Sequence, residues 1–208
     1  TLRRTAAASA LAARFLARED ASSLLVIGAG ALAPHLVRAH AAVRPLRRVM
    51  VWNRTPARAH ELAAGLAEEG FEARAVEDRL AAIEEADIVS CATMSRTPLV
   101  PGERVHPGTH VDLVGAFRPD MRESDDALLR RAAVYVDTMA GALAEAGDIL
   151  LALASGALSR EDIRGDLYAL CQGRVEGRRD AREITVFKSV GSAVEDLAAA
   201  AMVAARLG

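Results

Sequence analysis

Val26-Ile-Gly-Ala-Gly30 and Val49-Met-Val-Trp-Asn-Arg-Thr55 are the two stretches from which the rest of the chain can be read. The first ends an apolar strand predicted over Ser23 to Ile27 and runs through a Gly-x-Gly turn into an alanine-rich helix predicted from Ala31 to Val43. Such a turn leaves backbone N–H groups free at a helix start, where they and the helix dipole favour a pyrophosphate. Gly28, Gly30, Ala31 and Leu32 are the expected cradle, with Ala33 at the third fingerprint position, a variant the motif allows. The second stretch is the next strand, and its end is where an adenosine ribose should lie.

Charge at that end separates the two nicotinamide cofactors. A site for NAD places Asp or Glu about 20 residues beyond the glycines to hold the ribose 2′-hydroxyl, and that carboxylate would repel a 2′-phosphate. Here the place holds Asn53, Arg54 and Thr55, whose amide, guanidinium and hydroxyl can all donate to phosphate oxygens. The reading is NADP(H), with NAD as the alternative. A tight turn followed by a solvated arginine would explain either stretch alone, but strand, turn, helix and strand in this order favour a dinucleotide.

The bulk numbers exclude several classes. With 208 residues, 51% of them hydrophobic and only 3% aromatic, the chain can bury an aliphatic, helix-rich core as one domain. A net charge of −2 provides no basic field for nucleic acid. The longest apolar run, Leu197 to Ala205, falls far short of the roughly 20 residues of a spanning helix, so no membrane role is expected. Cys91 and Cys171 form neither a disulfide framework nor a Cys-x-x-Cys pair, which makes cytoplasm the default compartment. No metal is expected either: His106 and His110 are four apart, but Pro107-Gly108 prevents their stacking on a helix.

Beyond the two opening stretches the hydrophobic period alternates as in a parallel α/β protein. Helices are predicted over Thr55 to Glu69 and Arg79 to Glu85, and strands over Phe71 to Val76, Ala86 to Thr93, His110 to Val114 and Val134 to Thr138. Right-handed crossovers between them predict a doubly wound Rossmann-type sheet with its crevice at the carboxyl ends of the strands. After Ala140 the pattern is less regular: Gly165, Gly173 and Gly177 suggest a loop, Ile184 to Phe187 an isolated strand, and Val194 to Leu207 a last helix. The chain opens on Thr1 without Met, already within an amphipathic helix predicted over Arg4 to Leu16. The expected organisation is a helix at 1–19 linking to a second domain, a dinucleotide-binding domain at 20–165, and a segment at 166–208 returning to that second domain, whose other part lies outside the sequence.

Gly108-Thr-His-Val-Asp-Leu-Val-Gly-Ala-Phe-Arg-Pro-Asp-Met-Arg-Glu-Ser-Asp-Asp126 resembles the signature of the ornithine cyclodeaminase/mu-crystallin family. Arg4-Thr-Ala-Ala7, Ala144-Glu-Ala-Gly-Asp148 and Thr185-Val-Phe-Lys-Ser-Val-Gly191 match further blocks of it in the expected order. The resemblance implies a homodimer, a small imino-acid or amino-acid substrate, and a second domain that dimerises and holds most of the substrate site. It also divides the chemistry. Cyclodeaminases are implied to use NAD and an acidic proton acceptor in the loop after the fifth strand, converting ornithine to proline and ammonia. The matching position here is Phe117, and phenylalanine cannot take a proton. The loop is instead similar to that of the ketimine reductases, which carry Asn-Arg-Thr at the second strand and use NADPH. This branch implies reduction of the C=N bond of a cyclic imino acid, such as Δ1-pyrroline-2-carboxylate or Δ1-piperideine-2-carboxylate. Ornithine cyclodeaminase and a non-catalytic NADPH-dependent binding protein of mu-crystallin type are the alternatives.

Individual roles follow from the same resemblance. Arg4, Arg118 and Glu145 are expected at the substrate, with Thr5 beside Arg4 at the cofactor. Lys188, the only lysine among 26 cationic residues, is expected near the nicotinamide or its ribose. Thr93, Met94 and Val114 end strands on the crevice side and are expected against the nicotinamide half. The catalytic groups themselves are expected in the part outside this sequence. Cys91 reads as a buried small residue, and Asp112, set in an apolar strand, as a hydrogen-bonded structural carboxylate.

Overall fold

The computed structural model describes residues 1–207. The alternation seen in the sequence becomes α1 (Leu2–Leu16), β1 (Ser23–Ile27), α2 (Ala33–Ala41), β2 (Arg48–Trp52), α3 (Pro56–Glu68), β3 (Glu72–Ala75), α4 (Arg79–Glu85), β4 (Ile88–Cys91) and β5 (His110–Leu113). The later part adds α5 (Asp126–Arg131), β6 (Ala133–Val136), α6 (Met139–Glu145), α7 (Gly147–Ser155), β7 (Ile163–Asp166), α8 (Leu167–Cys171), β8 (Thr185–Lys188) and α9 (Ala193–Leu207). All eight strands join one sheet in the order β3-β2-β1-β4-β5-β8-β6-β7, and every neighbouring pair is parallel. The chain steps outward from β1 to β3 and then returns to the other side of β1 with β4. That reversal is the topological switch point, where such sheets open a crevice.

Three strands differ from expectation. Ile184 to Phe187 is not isolated: as β8 it fills the slot between β5 and β6, with Thr185 in register with both His110 and Ala133. Its four residues are buried, so its backbone needs a partner on each side, and both partners lie far away in sequence. The segment as far as Lys188 therefore shares the sheet of the dinucleotide-binding unit. The second difference is β7, whose Ile-Arg-Gly-Asp sequence reads as loop. It is an edge strand paired only with β6 and half-buried, a position that tolerates charge and glycine. The strand expected to run to Thr93 stops at Cys91, because Ala92 and Thr93 leave the sheet to form the crevice wall.

The opening helix α1 packs on α2 and reaches β5, β8 and α9. Arg44 secures its end by donating to the carbonyls of Arg14 and Ala17, and to that of Ala13, which also accepts the Ala17 N–H. Beneath α2 a buried polar cluster crosses the aliphatic core. The Asp112 carboxylate lies 3.3 Å from His40 Nε2 and accepts a 2.7 Å bond from Ser90 Oγ. Burial pushes this carboxyl up, but the bonds from His40 and Ser90 outweigh it and hold Asp112 below its ordinary range, as suits a structural carboxylate. His110, fully buried beside it, is pushed down to about 3 by the loss of solvent and stays neutral.

Candidate functional site

At the switch point the end of β1 must pass close to β4, and only glycine permits it. Gly28 has φ of +105°, and a Cβ there would stand 2.7 Å from the Ala92 carbonyl oxygen. Gly30, two residues on, faces open space with nothing within 4 Å of such a Cβ. The N–H groups of Gly30, Ala31 and Leu32 have no partner among the described residues, and they precede the first turn of α2. This is a cradle of free donors at a helix start, and it fits a pyrophosphate.

Asn53 lines the cleft and also braces its walls. Its Oδ1 accepts the Ala29 N–H at 3.1 Å and its Nδ2 donates to the Thr55 carbonyl at 3.0 Å, so the side chain clamps the turn after β1 to the turn after β2. The cations beyond it are available. Arg54 is exposed, lines the cleft and has no carboxylate partner among the described residues. Arg58, which the sequence reading missed, stands four positions on in the first turn of α3 with the same properties. Closeness in sequence was the available signal: Arg54 leads into the helix whose first turn carries Arg58, and both line the same cleft. Trp52 forms the adjoining wall, with the Arg79 guanidinium 4.7 Å from its ring centroid.

The cleft has a volume of about 710 Å³ and runs from these arginines past the glycine turn to Thr93, Gly115, Phe117 and Ser189. It gathers most of the expected residues: Arg4, Thr5, the glycine turn through Leu32, Asn53, Arg54, Thr93, Met94 and Val114 all line it. Four lie outside that lining. Thr55 is exposed at the N-cap of α3. Arg118 is exposed and pairs with Asp120 at 3.2 Å. Glu145 is exposed at the end of α6, while its block neighbour Asp148 is the buried member. Lys188 is fully buried beneath the cleft rather than in it. Arg4 lines the cleft, yet its Nε and Nη1 are held by Asp196 and Glu195 of α9 at 2.8 and 2.9 Å, which fastens α1 to α9.

At the end away from the arginines the floor rests on buried charges. Lys188 Nζ donates to the carbonyls of Leu113 and Gly115 and stands 3.4 Å from Asp148 Oδ2. Asp148 Oδ1 accepts from Glu123 N, Ser124 N and Ser124 Oγ, each at 2.8 Å. Glu123 Oε1 in turn accepts the N–H and hydroxyl of Thr93, at 2.6 and 2.7 Å. Burial pushes the Glu123 carboxyl up to about 7; Lys188 opposes the rise and Asp148 adds to it. Cys91 adjoins this group, and burial together with the Glu123 carboxylate raises its thiol well above the ordinary value, which favours the protonated form. Asp137, also buried, takes the N–H groups of Val190 and Gly191 at 2.8 and 2.6 Å and sets the turn after β8. Ala116 holds φ of +50°, unusual for a residue with a side chain, where β5 leads into Phe117.

A parallel sheet whose order reverses beside a Gly-x-Gly turn and an open helix start defines a Rossmann-type fold with a nucleotide cleft. Within that class the chain belongs to the ornithine cyclodeaminase/mu-crystallin family, whose model matches residues 1–208. It is 50% identical over 204 residues to a Δ1-pyrroline-2-carboxylate reductase of Paracoccus denitrificans, covering 97% of this chain and 64% of that one. The ketimine reductase mu-crystallin of Rattus norvegicus is 38% identical over 205 residues, covering 98% of this chain and 61% of the relative. Among solved structures, the Δ1-pyrroline-2-carboxylate reductase of Thermococcus litoralis in complex with NADH and L-proline superposes with a TM-score of 0.91 at 37% identity, covering 93% of this chain and 60% of that one. The chain thus spans under two thirds of the length of these relatives. No helix among the described residues is long and apolar enough to cross a membrane.

Proposed function

We propose that the protein is an NADP(H)-dependent reductase that delivers hydride to the C=N carbon of a cyclic imino acid, giving a cyclic amino acid. The observation that carries the cofactor choice is the pair Arg54 and Arg58, exposed at the adenosine end, with Asn53 where an NAD site would hold a carboxylate. Two guanidiniums suit a 2′-phosphate because each can donate a planar pair of bonds. The choice rests on this chain's own residues, since the Thermococcus litoralis structure holds NADH. Gly30, Ala31 and Leu32 would hold the pyrophosphate, and Thr93, Met94 and Val114 would hold the nicotinamide half. The bound cofactor supplies the hydride; the chain's part is to orient it and to exclude water around the imine.

The reaction class is supported by the activities of the relatives and by Phe117, which lines the cleft where the cyclodeaminase reading needs an acid. A carboxylated imine also needs a cationic anchor. Arg4 can serve only in part, because two of its nitrogens are committed to α9. We read α1 and α9 as the links to a second, dimer-forming domain that completes the substrate site, a reading supported by the exposed Leu197, Met202 and Val203 on α9. Steady-state assays of the full-length protein on Δ1-pyrroline-2-carboxylate test the proposal, with clear preference for NADPH expected. Equal or better turnover with NADH would overturn the cofactor choice. Formation of proline and ammonia from ornithine would establish the cyclodeaminase instead, and tight NADPH binding with no turnover on any cyclic imine would favour a binding protein.

A further inference from the structure

Glu123, Asp148 and Lys188 come from the loop after β5, from α7 and from β8, and all three are fully buried. Stability alone is a poor account of such a cluster, since buried ion pairs are often no better than apolar residues of the same shape. Their contacts point to the cleft instead. Glu123 grips Thr93, just beyond the end of β4, by both its N–H and its hydroxyl, while Lys188 grips Gly115, just beyond the end of β5, by its carbonyl. Thr93 and Gly115 both line the cleft at the end away from the arginines. They also touch: a Cβ on Gly115 would stand 2.0 Å from the Thr93 carbonyl oxygen and 2.3 Å from Glu123 Oε1. One cluster therefore locks two strand ends into a single surface.

We propose that Glu123 is a positioning residue for the nicotinamide end of the cleft, acting through Thr93 and more firmly as a carboxylate than as a neutral acid. The inference rests on the dinucleotide reading of the cleft. Glu123 Oε1 accepts both bonds from Thr93, and the protonated Cys91 thiol adjoins the same carboxyl, so gaining or losing the carboxyl's proton changes the strength of the grip on Thr93. The titratable groups facing it are Lys188 from β8, Asp148 from α7 and Cys91 from β4. Its ionisation near 7 places the change in the neutral range.

The test separates the two ends of the cleft with two probes, NADPH and adenosine 2′,5′-bisphosphate, the latter lacking the nicotinamide half. In the intact wild-type protein NADPH binding is expected to tighten on the order of fivefold as the carboxyl ionises, the difference between a charged and a neutral acceptor. Glu123→Gln keeps an acceptor for Thr93 but cannot ionise, and is expected to lose that pH dependence. Glu123→Ala is expected to weaken NADPH about tenfold while leaving the bisphosphate unchanged. Where Glu123→Ala fails to fold, Thr93→Val, which loses only the hydroxyl, supplies the same contrast with a smaller loss. Equal losses for both probes would mean a merely structural role and overturn the proposal, as would a Glu123→Gln profile identical to wild type. Failure of the wild-type protein to bind either probe would instead overturn the dinucleotide reading, and this inference with it.

Discussion

At one end of the cleft Arg54 and Arg58, proposed to face the adenosine, stand exposed within five consecutive positions of the chain, whereas beneath the other end Glu123, Asp148 and Lys188 are sealed from water and come from three distant segments. The first arrangement is held by covalent neighbours and a helix turn, and its cations stay solvated until an anion arrives. In the second, each charge is fixed by the others and by backbone groups at strand ends, so its geometry is as rigid as the sheet. Recognition of a phosphate can be left to mobile surface side chains, but seating a ring to within the tolerance of hydride transfer calls for a preorganised floor.

The comparison breaks most sharply at Lys188. Replacing it with methionine leaves Asp148 buried without its cation, and a loss of about 3–5 kcal/mol of unfolding free energy is expected in denaturant titration. A loss below about 1 kcal/mol, as for exposed pairs, would mean that the cluster is not sealed as described.

A pH series sharpens it next. The folded Glu123 carboxyl titrates near 7 against an ordinary 4.5, so the folded chain holds this proton more tightly than the unfolded chain. The stability it contributes is complete below about 4.5 and is lost as pH rises to about 7, roughly 3 kcal/mol in all. His110 acts in the opposite sense: held neutral with a value of about 3 against 6.5, it contributes stability above 6.5 that disappears as pH falls to about 3. The Glu123→Gln variant removes only the first effect, so its stability relative to wild type should climb between about pH 4.5 and about pH 7. Parallel curves for the two proteins would contradict the perturbed carboxyl.

The smallest of the three effects lies at the exposed end. Substituting both Arg54 and Arg58 with alanine should weaken NADPH about a hundredfold, leave NADH within about twofold and hardly move stability, all readable by calorimetry and thermal melts. A similar loss for both cofactors would show that these arginines do not read the 2′-phosphate.

How much was legible in the sequence follows the same division. The glycine turn, the Asn53–Thr55 stretch and most of the first five strands are local patterns, and they appear in the structure within a few residues. Lys188 stood out as the sole lysine, but nothing nearby in sequence shows that β8 slips between β5 and β6 and carries that lysine under the floor. In the Glu-Ala-Gly-Asp block the family resemblance points to Glu145, which is exposed, while Asp148 is buried: which residue a helix start buries depends on what packs above it. Glu123 lay in plain view inside the family block, indistinguishable by pattern from the solvated acids around it.

By itself the sequence determined the alternating α/β layout, the turn that leaves its N–H groups free and the cation just after the second strand, since each depends on residues within one turn or strand of one another. Only the tertiary structure decided that eight strands form one sheet, that Asn53 clamps two turns, and that three buried charges support the far end of the cleft. The physical reason is burial: a charge's environment is set by what lies across space from it, and parallel strands acquire their neighbours only after long crossovers.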